Sequence, residues 1–182
     1  GDPDLFLNGL HSNRHALFVN NGDGTFSEEA VERGAAMAVD GVHHGMSVTF
    51  GDVDRDGWID LFTTEWGIVL DETDPLKHMV LLKNRGAEAP GFFENATGES
   101  GLLITGTSIP GQQNGYSAYM SDFDGNGWPD LGIVADFGNS QFFWNQGNGT
   151  FVESTDAARV GTDQNGMGGA VGDYDGDRDL DW

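Results

Sequence analysis

An aspartate-rich loop recurs along this chain and constrains its fold more than any other feature. The first complete copy, GDVDRDGWIDL at 51–61, places Asp52, Asp54, Asp56 and Asp60 within one short loop. Two carboxylates about 4 Å apart repel each other by roughly 4 kcal/mol at an effective dielectric of about 20. No run of lysine or arginine lies beside the loop in the sequence to offset that repulsion. A hard divalent cation would offset it, and calcium prefers oxygen-rich, flexible loops of this kind.

The same loop returns at 122–130 and 173–181, and the opening residues 1–7 match its second half. Each complete loop follows a short apolar segment, and the first two lead into another. An Asn-x-Gly-x-Gly-Thr-Phe hairpin signal then recurs at 20–26 and 145–151. The loops lie about 50 to 70 residues apart, a period typical of repeat architectures.

These spacings predict an all-β chain made of units of about four short strands. Such units cannot bury a face alone, and they are the building blocks of β-propellers. We therefore predict a partial β-propeller across residues 1–182, with four-stranded blades that each contain a calcium loop. The predicted repeats are 1–45 (incomplete at its start), 46–115, 116–166 and 167–182 (incomplete at its end).

The unit of aspartate loop, strand and Gly-Thr-Phe hairpin resembles the FG-GAP/VCBS repeats of integrin-α-type β-propellers. The Gly-Thr-Phe variant with an Ala/Gly-rich connector is especially similar to ASPIC/UnbV-type proteins. The resemblance implies about seven four-stranded blades, with a calcium ion held between the first two strands of each. It implies these ligands: Asp52, Asp54, Asp56 and Asp60 with the Trp58 carbonyl; Asp122, Asp124, Asn126 and Asp130 with the Trp128 carbonyl; Asp173, Asp175, Asp177 and Asp181 with the Asp179 carbonyl.

The third loop departs from this pattern, because Arg178 stands where the other loops have Gly57 and Gly127. A side chain at that sharp turn is strained if its φ is positive, so we expect the third site to bind calcium less well than the first two. The opening loop lacks its first half, and Asp4 alone does not define a site.

Two other interpretations of the loops are less consistent with the sequence. An EF-hand needs a glutamate at loop position 12 and flanking helices, whereas position 12 is Thr63 in the first loop and Ile133 in the second. Solvated turn aspartates would explain one such loop, but not three at matching places in a repeat.

Charge and composition limit the partners and the location. The chain has 30 Asp and Glu against 8 Lys and Arg, a net charge of −22, which disfavours nucleic acid and anionic membranes. The absence of cysteine excludes a disulfide scaffold and a zinc-thiolate site, and no apolar run is long enough for a transmembrane helix. Low-affinity calcium sites are typical of extracellular modules, so we predict an extracellular, cell-surface or periplasmic location.

Several polar residues outside the loops are candidates for chemistry. His43 and His44 precede a loop strand, while Glu65 and Asp136 follow loop strands. A histidine pair could bind a transition metal, and paired carboxylates could perform acid–base work on a sugar. Packing or surface roles are commoner for such residues, and the same holds for His11 and His15. No Ser-His-Asp arrangement, HExxH motif or P-loop is present.

Five tryptophans and two glycosylation sequons also have two interpretations each. The tryptophans are suited to stacking on sugars, although packing between blades is the commoner role. The sequons begin at Asn95 and Asn148, and the second lies in the repeated hairpin, which already explains its residues. The tryptophans are Trp58, Trp66, Trp128, Trp144 and Trp182.

The leading hypothesis is therefore a calcium-binding extracellular β-propeller module that is non-catalytic and interacts with a protein or a glycan. One alternative is a propeller-fold lyase or glycosidase with a carboxylate or histidine centre. Another is a structural subunit, in which further blades from a longer chain or from neighbouring subunits cover open edges that would otherwise aggregate. The residues alone leave the partner, the blade number, the oligomeric state and the choice between calcium, magnesium and manganese open.

Overall fold

The computed structural model describes residues 2–38, 42–69, 79–102 and 112–182, so the predicted connectors within 27–45, 66–79 and 96–115 lie partly outside the described residues. The described part is almost entirely β-structure, with a 3-10 turn at Gly86–Glu88 and one short helix, α1, at Thr155–Ala158. The strands are β1 Leu5–Leu7, β2 Leu10–Ser12, β3 Ala16–Asn20, β4 Phe26–Glu28, β5 His43–Gly51, β6 Asp60–Val69, β7 Val80–Arg85, β8 Ala89–Asn95, β9 Gln112–Ser121, β10 Asp130–Ala135, β11 Gln141–Asn145 and β12 Phe151–Glu153.

Two four-stranded antiparallel units share one strand order, as the repeat predicts. In the second unit, β6 pairs with β5 and β7, and β7 pairs with β8. In the third unit, β10 pairs with β9 and β11, and β11 pairs with β12. The first unit consists of β1, β3 and β4 in the same antiparallel sequence. The all-β prediction is confirmed, and the repeated units are antiparallel sheets.

The apolar core lies between neighbouring units. One cluster combines Phe62 and Leu81 of the second unit with Leu131 and Phe143 of the third. Another combines Phe6 and Leu17 of the first unit with Leu61 of the second. In the described residues, neighbouring units thus bury apolar faces against each other, which is the stabilising arrangement of repeat proteins.

A backbone bridge links each unit to the next at an equivalent place. Leu10 pairs with His44, Trp66 pairs with Asn114, and Asp136 pairs with Asn165. We call the contact between the first and second units the first junction, and that between the second and third units the second junction. The bridges make strand continuity, as well as apolar packing, part of each junction.

Two strands begin earlier than the sequence predicts. β5 starts at His43 and β9 at Gln112, although the predicted repeat boundaries lie at 45/46 and 115/116. Gly45 and Gly115, which resemble stop signals in the sequence, lie inside these strands beside register shifts. A Cβ on Gly45 would lie 2.6 Å from the Asn8 Cβ. The glycine therefore permits the close approach of the preceding unit.

Candidate metal loops and a buried histidine–glutamate cluster

The three aspartate loops share one set of internal hydrogen bonds. The first aspartate accepts a hydrogen bond from the backbone N–H five residues later. The donor is Gly57 at 3.0 Å in the first loop, Gly127 at 2.8 Å in the second and Arg178 at 3.0 Å in the third. The repeated bond shows that the three segments adopt the same turn.

The side chains at loop positions 3 and 5 each accept a hydrogen bond from the N–H two residues later. In the first loop, the Asp54 carboxylate accepts from Asp56 at 3.3 Å, and the Asp56 carboxylate accepts from Trp58 at 2.9 Å. The equivalent bonds occur in the second and third loops. These are Asx turns, so a spacing of two residues both places the carboxylates and folds the loop.

In the first two complete loops, the last aspartate ties the loop to its unit. Asp60 Oδ2 accepts the N–H of Val53 at 2.9 Å, while its Oδ1 accepts the N–H of Asn84 at 2.8 Å. Asp130 repeats both bonds, with Phe123 at 3.0 Å and Asn145 at 2.9 Å. The asparagine that opens each hairpin is therefore fixed to the loop, a role that the sequence analysis missed although these asparagines recur after each loop strand.

Burial of this last aspartate opposes its charge. Asp60 is 1% exposed and Asp130 is fully buried. Burial raises the pKa of Asp60 to about 6, against the opposing effect of the Asn84 and Val53 hydrogen bonds, and nearby Asp54 and Asp56 raise it further. Burial likewise raises the pKa of Asp130. A cation beside these carboxylates would favour their ionised form.

The carboxylates converge in each loop as a metal site requires. Asp52, Asp54 and Asp60 each offer an oxygen, and these oxygens lie within 4.8 Å of one another. The groups Asp122, Asp124, Asp130 and Asp173, Asp175, Asp181 do the same. An all-oxygen donor set fits calcium. The groups do not include Asp56 or Asp177; these two, Asn126 and the carbonyls of Trp58, Trp128 and Asp179 stay predicted ligands.

The first loop has a counter-charge that the sequence analysis did not find. Lys83 Nζ lies 2.5 Å from Asp54 Oδ2, and its hydrogen bond to Asp54 raises the pKa of Lys83. Because Lys83 is on β7, it is remote from the loop in sequence and adjacent only after the sheet forms. The expectation that no basic group offsets the loop charge is therefore wrong for the first loop.

Left-handed backbone occurs at two positions of each loop. Arg178 has φ 79°, as expected from the glycines at its equivalents, Gly57 and Gly127. Position 4 is also left-handed: Arg55 has φ 56°, where the other loops have Gly125 and Gly176. The Arg55 guanidinium lies 5.2 Å from the centre of the Trp128 ring. This contact joins the loops of the second and third units.

A second polar cluster lies inside the first junction. His15 and His43 are each 1% exposed and Glu65 is 0% exposed, and their ligand atoms lie within 4.8 Å of one another. His43 Nδ1 is 2.8 Å and His15 Nε2 is 3.6 Å from Glu65 Oε1. Of the two expected roles, surface or packing, the surface role is wrong for these two residues, which are buried in the junction.

The other candidates for a catalytic centre do not join this cluster. Asp136 accepts a hydrogen bond from Trp66 Nε1 at 3.1 Å, and the His44 ring packs on His11 at 5.1 Å. Because Glu65 and His43 are closed off from solvent, the cluster offers no surface to a sugar. The geometry therefore does not support the lyase or glycosidase alternative at these residues.

The tryptophans and sequons have structural partners. Trp182 and Trp144 pack against Phe142 at 5.8 Å and 4.7 Å, and Trp128 packs under Arg55. In both sequons the asparagine Oδ1 accepts hydrogen bonds from the threonine two residues later, from Thr97 to Asn95 and from Thr150 to Asn148. These contacts account for the residues through packing and turn formation.

Within the described residues, no helix has the length and apolar character needed to span a membrane. A comparison of the sequence with curated proteins gave no match. Among solved structures, the chain is similar to an Agrocybe aegerita lectin, reported for specific recognition of non-reducing terminal N-acetylglucosamine, with a TM-score of 0.42 and 16% identity. The likeness covers 82% of this chain and 37% of the lectin, and at this level it carries no functional argument.

The family comparison is more specific. The sequence matches a family model described as FG-GAP-like repeat over residues 1–63 and 122–182. These ranges contain all three aspartate loops and both Gly-Thr-Phe hairpins. The finer similarity to ASPIC/UnbV-type proteins stays a prediction. The predicted FG-GAP resemblance is confirmed: the chain belongs to the FG-GAP-like repeat family.

Proposed function

We propose that the chain is a calcium-stabilised β-propeller module that presents an interaction surface for a protein or a glycan outside the cell or in the periplasm. The observation that carries the proposal is the threefold repetition of a converging aspartate triad at the same place in three successive repeats. Membership of the FG-GAP-like repeat family supports a propeller-type interaction module. A site that recurs from one repeat to the next serves the scaffold, so the partner binds elsewhere on the module.

Calcium would act by holding the turn between the first two strands of a unit. Without a cation, the loop brings together carboxylates whose mutual repulsion opposes the turn. The donor set contains only oxygen, which favours calcium, magnesium or manganese over zinc or copper. The oxygens converge from irregular Asx turns rather than from a regular octahedral arrangement, and calcium accepts irregular geometry more readily than magnesium does.

Calcium titration with thermal unfolding tests the proposal. Calcium at 100 times its Kd is expected to stabilise the fold by about 2.7 kcal/mol per site, and EGTA should reverse the effect. The variant D52N/D122N/D173N removes the first carboxylate of each triad and should abolish most of the shift. The matched control E32Q/E88Q/E99Q removes three exposed charges outside the loops and should keep it. A melting curve that neither calcium nor EGTA changes would overturn the proposal.

The interaction role has its own test. Binding of the purified module to glycan and cell-surface protein arrays should be specific and should weaken when EGTA removes calcium, because the loops support the surface indirectly. Binding that is absent from both arrays in saturating calcium would contradict the interaction role without affecting the calcium proposal. The structural-subunit alternative is separated by native mass spectrometry, where it requires higher-order assembly.

A further inference from the structure

The hydrogen bonds of the cluster in the first junction fix where its protons lie. His43 Nε2 is 2.6 Å from the Met37 carbonyl oxygen. A carbonyl only accepts hydrogen bonds, so this nitrogen carries a proton. His43 Nδ1 is 2.8 Å from Glu65 Oε1, and Glu65 Oε2 accepts the N–H of His44 at 2.7 Å. One further proton therefore lies between His43 and Glu65, which form a buried imidazolium–carboxylate pair.

His15, unlike His43, has a neutral ring. Its Nδ1 accepts a hydrogen bond from the backbone N–H of Gly9 at 2.9 Å, so Nδ1 carries a lone pair and the neutral ring has its proton on Nε2. That N–H faces Glu65 Oε1 at 3.6 Å. A metal ion bound by His15 Nε2 would need the lone pair on that nitrogen, which the Gly9 hydrogen bond assigns to Nδ1. The cluster is therefore a proton network rather than a metal site.

The network spans the two units at their bridge. His15 belongs to the first unit, whereas His43 and Glu65 lie on β5 and β6 of the second. Gly9, which donates to His15, also accepts the N–H of Gly45 at 2.9 Å. The backbone of Gly9 therefore contacts both the His15 ring and the strand of the second unit, so a change in the protonation of His15 affects the connection between the units.

Within the described residues, few charged and titratable groups lie around His43. Glu65 faces it from β6, and the His15 ring faces it from the first unit with a centre-to-centre distance of 4.2 Å. His44, its neighbour on β5, turns its ring to His11 of β2. Beside His15, Arg14 is paired with Glu28 of β4 at 2.8 Å. Glu65 is therefore the carboxylate that holds the charge of His43.

We propose that the His15–His43–Glu65 network is a proton-controlled lock between the first two units. The lock is closed when a single proton is shared by His43 and Glu65 and His15 is neutral. Loss of the shared proton leaves an uncompensated buried carboxylate, and a second proton on His15 places two cations within the same apolar junction. Either change is expected to loosen the junction.

The expected pH dependence has two limbs. Burial alone would lower the pKa of His43, but the hydrogen bond and charge of Glu65, with the Met37 carbonyl, raise it above 6.5. This contribution to stability is complete below pH 6.5 and is lost as the pH rises through the folded-state pKa. Burial, aided by the charge of His43, lowers the pKa of His15 to about 3. Its contribution is complete above pH 6.5 and falls between pH 6.5 and about 3.

The second junction supplies a matched control. At the places equivalent to His15, His43 and Glu65 it has Met79, Gln113 and Ala135, and the Gln113 side chain accepts the N–H of Met79 at 3.1 Å. The variant H15M/H43Q/E65A transfers this neutral set to the first junction. Because the set already serves an equivalent bridge, the variant is expected to fold.

The experiment combines hydrogen exchange with ¹⁵N NMR of the histidine rings. In wild type, exchange at Gly45, corrected for intrinsic rates, should be slowest near pH 6.5 and should quicken on both sides, by up to about tenfold per pH unit for one proton. The triple variant should lose both limbs, while exchange at Gly115 stays the same in both proteins. The NMR spectrum at pH 6.5 should show a doubly protonated His43 and a neutral His15 with its proton on Nε2.

Three outcomes would overturn the lock. One is a wild-type pH profile at Gly45 that matches the profile of the triple variant. Another is a neutral His43 ring in the wild-type spectrum at pH 6.5, a measurement that needs no variant. The third is stabilisation of wild type by stoichiometric Zn²⁺ that the triple variant lacks, which would make the cluster a metal site.

Discussion

The two junctions solve the same packing problem with different chemistry. Both have an equivalent backbone bridge, Leu10 to His44 in the first and Trp66 to Asn114 in the second. Beside the bridge, the first junction contains the charged pair His43–Glu65. The second junction contains the neutral pair Met79–Gln113. The backbone geometry of the repeat therefore does not require charge. At these positions the first junction therefore has a protonatable pair where the second has uncharged residues.

Glu65→Ala is expected to have the largest effect of the substitutions that test this difference between the junctions. Removing the carboxylate leaves His43 buried without its partner, and removal of one member of a buried ion pair costs about 3–5 kcal/mol. Denaturant unfolding at pH 6.5 measures the loss. The neutral triple variant should lose much less, although it removes the same carboxylate, because it also removes the charge that would be left behind.

Ala135→Glu is the reciprocal change. Ala135 is 0% exposed, and the position equivalent to His43 holds the uncharged Gln113, so the new carboxylate would be buried without the imidazolium partner that Glu65 has. We expect a loss of stability at pH 7 that decreases on acidification, since protonation relieves the cost of burying the charge. A variant as stable as wild type at pH 7 would show that the second junction tolerates charge, and that the chemical contrast between the junctions is unimportant.

The next contrast concerns the glycine beside each bridge. A Cβ on Gly45 would meet the Asn8 Cβ at 2.6 Å and the backbone oxygen of Gly9 at 3.0 Å. A Cβ on Gly115 would meet the Met79 sulfur at 2.5 Å. The backbone at Gly9 cannot move away from residue 45 without opening the first bridge. The Met79 side chain, in contrast, can adopt another conformation.

Gly45→Ala should therefore cost about 1–3 kcal/mol, as overpacking usually does. Gly115→Ala should be nearly neutral, because the reduced entropy of the unfolded chain contributes about 0.4–1 kcal/mol in the other direction. Thermal unfolding of the two single variants in the same buffer measures the difference. Equal losses would mean that the two bridges are equally rigid, whatever side chains lie behind them.

The sequence predicted the repeated elements well because they depend on local spacing. The Asx turns of the loops need only carboxylates two residues apart, and the strain at Arg178 follows from the glycines at equivalent positions. The ion pairs were not predictable in this way. Lys83 reaches Asp54 only across paired strands, and the His15–Glu65 contact depends on how two units are placed against each other. Equivalent positions in the other units hold Met79 and Ala135, so repetition gave no signal for this contact.

The smallest expected effects come from the arginines in left-handed backbone. That conformation costs a non-glycine residue about 1–2 kcal/mol, and glycine loses about 0.5–1 kcal/mol through its greater freedom when unfolded. Arg178→Gly should therefore stabilise the chain by about 0.5–1 kcal/mol. Arg55→Gly should gain the same amount but lose its contact with Trp128, worth about 0.5–1 kcal/mol at an exposed site, and so should be close to neutral.

Urea unfolding in EGTA separates these effects from metal binding, and Arg55→Lys is the matched control because it keeps a cation at the strained position. If Arg55→Gly stabilises the chain as much as Arg178→Gly, the arginine–tryptophan contact adds nothing to the second junction, which would then depend on its neutral core and its backbone bridge alone.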